Sequence, residues 1–239
     1  MKKEIKKILK FNLILIVLLT FSCKHQQKKS VENDTSKAPL ERLVEGNKRF
    51  RENHPVHPDQ TLDKLRELEK GQHPFAVIVS CADSRVPPEL IFDQGLGDLF
   101  VIRNAGNIIS DYELGSIEYA VEHLGTKLIV VLGHKQCGAI GAFLEHKNDS
   151  VQSHIQQIID YIKTEPEEVS LEENVSNYYE KAISANVEHG IHVIEQSKPV
   201  LKEFLEADKV KVVGMLYDLE TRKTEIIKNN EFTPKYKSD

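Results

Sequence analysis

The chain has 239 residues, 40% of them hydrophobic and 29% charged, a makeup that fits one large globular domain or two small ones and excludes a disordered or membrane-embedded polypeptide. A formal charge of -5, an aromatic content of 7% and the lack of tryptophan provide neither a basic surface nor a stacking platform, so no nucleic-acid partner is expected. A domain of this size buries its core without disulfide staples, which leaves the three cysteines to be explained one by one.

The first segment reads as a targeting sequence. Lys2, Lys3, Lys6, Lys7 and Lys10 make a basic start, and residues 11–21 are apolar except for Asn12 and Thr20. Spanning a bilayer takes roughly 20 consecutive apolar residues, so residues 1–22 fit a secretory signal peptide cut after Ser22. Cys23 follows the cut directly, which resembles the lipobox of bacterial lipoproteins, where that thiol is lipidated and becomes the new N-terminus. The expectation is an exported protein, periplasmic or in the cell envelope, that meets a membrane only through a lipid anchor at Cys23. A plain signal peptide with an incidental cysteine is the alternative, and a retained anchor helix a further one. Residues 23–38 are polar, with Val31 the one aliphatic residue between Lys24 and Lys37, and read as a flexible tether to a domain over residues 39–239.

Leu40, Leu43, Val44 and Phe50, then Leu62, Leu65 and Leu68, recur at helical spacing and predict an N-terminal helical arm. Short apolar runs at Phe75–Ser80, Phe100–Ile102 and Leu128–Leu132 read as strands buried on both faces. Between the last two, Tyr112 to Leu124 sets Leu114, Ile117, Ala120, Val121 and Leu124 on one side of a helix. Gly138–Leu144, Val151–Ile162 and Tyr178–Leu205 read as mostly helical. The acidic stretch around Thr164–Glu173 reads as a solvated connection between helices. Lys209–Leu216 is a fourth strand, and Thr224–Ile227 a short edge strand paired with it. Buried runs alternating with amphipathic helices predict an α/β domain with a mostly parallel central sheet flanked by helices.

Chemistry concentrates where two of these strands end. One stops at Cys81-Ala-Asp-Ser-Arg85 and another at Gly133-His134-Lys-Gln-Cys137-Gly138, and the carboxyl ends of strands are where open α/β sheets bind ligands. Two thiols and an imidazole form a set that suits zinc, and three protein ligands leave the fourth position open, as catalytic sites require. Each part alone has a blander reading: Cys81 as core, His134 and Cys137 as a chance pair or part of a redox site, Asp83 and Arg85 as a surface ion pair. The redox reading leaves His134, Asp83 and Arg85 unexplained. Beside a cysteine ligand, an Asp and an Arg two residues apart can pair by bidentate hydrogen bonds, which holds the carboxylate ionised and aimed.

Together these motifs resemble the signature of β-class carbonic anhydrases. The likeness runs from about Leu40 to Tyr217 and includes Val86-Pro87, Val101-Ile-Arg-Asn104 with Asn107, and Ser116-Ile-Glu-Tyr-Ala-Val121. It implies a β-carbonic anhydrase-like fold and one Zn2+ per chain held by Cys81, His134 and Cys137, with Asp83 and Arg85 as the catalytic carboxylate–guanidinium pair. It further implies a pocket in which Gln72 hydrogen-bonds substrate, Phe100 and Tyr119 line the walls with Ile78, and the Gly138 N–H points inward. The reaction implied is reversible hydration of CO2 to bicarbonate and a proton by attack of zinc-bound hydroxide. Some of the lining comes across a dimer interface in the family, so a homodimer or higher homo-oligomer is implied. Members whose zinc is closed off by the counterpart of Asp83 carry a bicarbonate pocket with a Trp, an Arg and a Tyr. Arg103 and Tyr119 are present here, but Ile78 stands at the Trp position, which favours an open site. Hydrolysis of CS2 or carbonyl sulfide on the same scaffold, and a non-catalytic exported zinc-binding protein, are the alternatives.

Overall fold

Short continuous apolar runs bounded by polar or turn residues suit strands covered on both faces, and in the computed structural model each of the three has become a strand. The structure describes residues 35–171 and 177–229, all within one compact unit, Val31–Asp239. The signal segment, Cys23 and most of the tether lie outside the described residues. In chain order the elements are α1 (Pro39–Arg51), α2 (Leu62–Leu68), β1 (Ala76–Cys81), α3 (Pro88–Ile91), β2 (Leu99–Asn104), a 3-10 turn (Ala105–Asn107) and α4 (Asp111–Glu122). There follow β3 (Leu128–His134), α5 (Gly138–Glu145), α6 (Ile155–Lys163), α7 (Pro166–Val169), α8 (Tyr178–Gln196), α9 (Val200–Glu206), β4 (Lys211–Tyr217) and β5 (Thr224–Asn229).

The five strands form one sheet in the order β2-β1-β3-β4-β5. The first four are parallel and β5 runs antiparallel along β4, so the expected edge strand is present. Every residue of β1 and β3 is buried, because helices cover both faces and successive side chains alternate between them. Ala76, Ile78, Leu128, Val130 and Leu132 pack on one face against Leu43, Phe92, Ile140, Phe143 and Ile159. Val77, Val79, Ile129 and Val131 pack on the other against Ile117, Val121, Val187, Ile191 and Ile194.

Two expectations change. The helix read over Tyr178–Leu205 is interrupted: α8 stops at Gln196 and α9 starts at Val200, since Pro199 lacks a backbone donor and restricts the residue before it. The acidic stretch after Thr164 is not a solvated connection. It folds into α7 against α8, with Glu165 and Glu168 only 0% and 1% exposed. The neighbouring carboxylate supplies the physical reason: Glu167 accepts from Nδ1 of His189 at 2.9 Å and from Nδ1 of His192, one turn apart on α8. That double grip holds the turn against α8 with Glu165 and Glu168 on its covered side, which acidity alone does not foretell.

Candidate metal centre

Because β1 and β3 are parallel neighbours, their carboxyl ends lie at the same edge of the sheet, and each ends on a residue able to ligate a metal. Cys81 closes β1 and His134 closes β3. Two residues on, Gln136 takes a positive φ of 57°, turning the chain so that Cys137 becomes the N-cap of α5. The ligand atoms of Cys81, His134 and Cys137 lie within 4.8 Å of one another, and all three residues are buried.

The imidazole is fixed by its own backbone. Nδ1 lies 2.9 Å from the Lys135 carbonyl, and a carbonyl only accepts, so Nδ1 carries the proton and Nε2 keeps a lone pair. Nε2 is buried without a hydrogen-bond partner. A buried acceptor is costly to leave unmade, and one that shares a small space with two thiols matches a soft divalent ion. Two thiolates and one neutral imidazole carry the charge and softness that Zn2+ prefers. The residues therefore fit zinc.

Local structure prepares Cys81, and not Cys137, to ionise first. Cys81 Sγ accepts from the N–H groups of Asp83 and Gly106, each at 3.4 Å. The neighbouring Cys137 thiol, then these two amides, draw Cys81 well below the ordinary thiol range despite its burial. Once Cys81 is a thiolate, its proximity and the burial of Cys137 oppose loss of the second proton. A cation between the sulfurs removes that opposition, because a coordinated thiol is deprotonated outright. The N–H groups of Ala139 and Ile140, at the start of α5, already turn toward Cys137.

Asp83 stands outside the ligand cluster. Its Oδ1 accepts from the backbone N and Nε of Arg85, each at 2.9 Å, and its Oδ2 from Nη2 at 2.7 Å. That pairing, set against burial, holds the carboxyl down at about 2. Arg85 also donates from Nη2 to the Gln136 carbonyl at 3.2 Å, tying the two ligand loops together. Arg103 from β2 donates to the carbonyls of Cys81 at 3.0 Å and Asp83 at 2.7 Å. Its guanidinium thus serves the loop's backbone, a role that sequence reading missed.

The family described as carbonic anhydrase matches residues 76–224 of this chain by its sequence model. "Carbonic anhydrase 2" of Mycobacterium tuberculosis is 37% identical over 190 residues, covering 79% of this chain and 91% of that one. The solved β-carbonic anhydrase CcaA superposes with a TM-score of 0.62 at 30% identity, over 79% of this chain and 95% of its own. The chain belongs to the β-class carbonic anhydrases. One of two tetrameric β-carbonic anhydrases from Sordaria macrospora is also similar, with a TM-score of 0.61 at 27% identity over 80% of this chain and 98% of its own.

The remaining residues expected at this carbonic anhydrase's pocket divide by position. Gly138 is the first residue of α5, directly after Cys137, and is exposed, and a Cβ there would meet nothing within 4 Å. Phe100 and Tyr119 do meet, with ring centroids 6.3 Å apart, but away from the cluster. Phe100 pairs with Val77, whereas Cys81 pairs with Asn104. At about 3.3 Å per residue, that register sets Phe100 about 13 Å back along the sheet. Gln72 is exposed and precedes β1, again at the end opposite Cys81. Ile78 is fully buried in the core of the sheet, so within one chain it serves packing.

Proposed function

We propose that this enzyme hydrates CO2 reversibly to bicarbonate and a proton, using one Zn2+ per chain held by Cys81, His134 and Cys137. The observation that carries the reading is the unpartnered Nε2 of His134 facing two buried thiols, with an ionised carboxylate beside them. Zinc in such a set supplies a water acidified from 15.7 toward about 7, a nucleophile at neutral pH. Asp83 accepts that nucleophile's hydrogen bond and orients it, and Arg85 keeps the carboxylate ionised and aimed through three hydrogen bonds. In this reading the Gly138 N–H, at the start of α5, donates to oxygen as negative charge builds there, which a helix start favours.

A second copy of the chain completes the pocket in this proposal. Gln72 and Phe100 lie far along the sheet from their own cluster, and Tyr119 packs against Phe100. Tyr119 is 47% exposed, with Leu62, Leu65, Leu90 and Leu96 also exposed on the same molecule. A homodimer or larger assembly would bring the lining of one chain to the metal of the other. The proposal also places the mature enzyme in the cell envelope, lipid-anchored at Cys23. Among the described residues no helix is long and apolar enough to cross a membrane.

Stopped-flow CO2 hydration on protein whose zinc is quantified in parallel tests the activity. About one zinc per chain and hydration proportional to zinc content are expected; protein with zinc but no hydration would end the proposal. Sedimentation of the active species tests assembly, since an active monomer contradicts the shared pocket. Acyl labelling of wild type against Cys23→Ser tests the anchor, and wild type already soluble in the envelope would support the plain signal peptide.

A further inference from the structure

Helix α8 buries one face in the core through Ile183, Val187 and Ile191, yet a polar residue stands within that face. Asn186 is 3% exposed, and its Nδ2 donates to the Gly106 carbonyl at 2.9 Å. Gly106 sits in the 3-10 turn at a φ of 81°, a conformation glycine adopts at no steric cost. A Cβ there would also come within 2.9 Å of the Ala139 side chain. In this conformation Gly106 aims its own N–H at Cys81 Sγ, 3.4 Å away. Asn104 secures the other side of the turn, accepting from Ile108 N at 2.8 Å and donating to Ile108 O at 2.7 Å.

Seven residues before Asn186, two helical turns earlier and on the same face, Tyr179 reaches the other thiol's loop. Its hydroxyl donates to the Cys137 carbonyl at 2.6 Å, and its ring lies over Gly141, where a Cβ would meet Tyr179 Oη at 3.4 Å. One 19-residue helix therefore holds the backbone of the Cys137 loop and of the turn whose Gly106 N–H meets Cys81.

We propose that α8 is the brace that sets the separation and orientation of the two metal-binding sulfurs. Asn186 acts on Cys81 through Gly106, and Tyr179 acts on Cys137 through its carbonyl. Both are positioning residues. The inference rests on the reading of Cys81, His134 and Cys137 as zinc ligands and extends it to the groups that aim them. Without the Asn186 donor, the Gly106 turn loses the bond that keeps its N–H on Cys81, and the thiolate loses a stabilising partner. Groups that orient metal ligands in this way are typically worth about 10- to 100-fold in metal affinity.

The test uses the full chain, stripped and reloaded with Zn2+ for chelator competition and with Co2+ for its thiolate-to-metal charge-transfer band. Asn186→Leu keeps the volume and removes the donor, and should weaken zinc binding about 10- to 100-fold while shifting or weakening the cobalt band. Tyr179→Phe removes one hydroxyl from a half-buried ring; it should shift the band in the same sense with a smaller loss of affinity, and it carries the test alone if Asn186→Leu does not fold. Wild-type zinc affinity and cobalt spectra in both variants would overturn the brace and leave the zinc site standing. So would an equal loss of thermal stability in apo and metal-loaded forms with an unchanged band, the mark of a purely packing role. Absence of any thiolate band in the wild type would instead bring down the zinc reading itself, and the brace with it.

Discussion

The ligand loops at the end of β1 and β3 and the acidic turn around α7 both bury polar atoms without partners, and they differ in what surrounds those atoms. At the ligand loops the unpartnered atom is His134 Nε2. Its own ring is fixed by Lys135, its neighbours are two thiols, and every loop around it is tied by Arg85, Arg103, Asn186 or Tyr179. At α7 the unpartnered atoms are all four carboxylate oxygens of Glu165 and Glu168. Their charged surroundings are mainly other acids, with Lys147 the opposing charge at Glu168. The first arrangement offers converging lone pairs to a cation. The second offers two carboxyls that do better neutral than ionised. A buried orphan points to a ligand only where the groups around it share its need.

The largest effect expected on that contrast is at the ligand loops. Cys81→Ser should weaken zinc binding by roughly a hundredfold or more, since a hydroxyl is a poor replacement for a thiolate. Zinc analysis after dialysis against a weak chelator reads this directly, and full occupancy would remove Cys81 from the ligand set.

The acidic turn should show itself in stability against pH. Burial, then the charges of Glu168 and Glu167, raise Glu165 from 4.5 to about 9; burial, with Glu167 adding and Lys147 opposing, raises Glu168 from 4.5 to about 8. A carboxyl raised in the folded state holds a proton that the unfolded chain has already released. Its stability contribution is therefore full below the ordinary 4.5 and is lost as pH rises toward about 8 for Glu168 and about 9 for Glu165. Each acid should cost about 1.4 kcal/mol of stability per pH unit across its window. Urea midpoints taken from pH 6 to pH 8 should fall in wild type and stay nearly level in Glu165→Gln/Glu168→Gln. Parallel curves for the two proteins would show that the turn is solvated after all.

Asp83→Asn sharpens the ligand side. Zinc content should remain near wild type, because Asp83 lies outside the cluster, while CO2 hydration at neutral pH falls tenfold or more, about 1.4 kcal/mol of barrier. Marked loss of zinc would show instead that Asp83 ligates the metal. The smallest effect belongs to the paired acid of the turn. Glu167→Gln weakens the bonds to His189 and His192 and should lower stability by about 1 kcal/mol at pH 6. A gain in stability there would place Glu167 with its unpaired neighbours and dissolve the contrast.

Much of the molecule was legible in the residues. Continuous apolar runs such as Phe75–Ser80 and Leu128–Leu132 read as doubly covered strands, and two parallel strands bring Cys81 and His134 to one edge. The interval from His134 to Cys137 is local, a single turn of chain, and so is the pairing of Asp83 with Arg85. Such features depend on bonds and steric limits within a few residues, and composition carries them. The grip of Asn186 on Gly106 crosses 80 residues, and a lone Asn on an apolar helix face announces no partner. Glu165 and Glu168 read as solvent-facing because a carboxylate's burial depends on what covers it, and the cover comes from α8. Likewise Phe100 and Tyr119 carry a family pattern, but the strand register decides that Phe100 stands about 13 Å along the sheet from its own chain's thiols, and Tyr119 packs against Phe100. The sequence by itself determined the strands, the three candidate metal ligands at their ends and the Asp83–Arg85 pair, since each is written in a short local motif. Only the tertiary structure decided which polar groups lost their water and which distant residue replaced it, because desolvation depends on everything packed around a group.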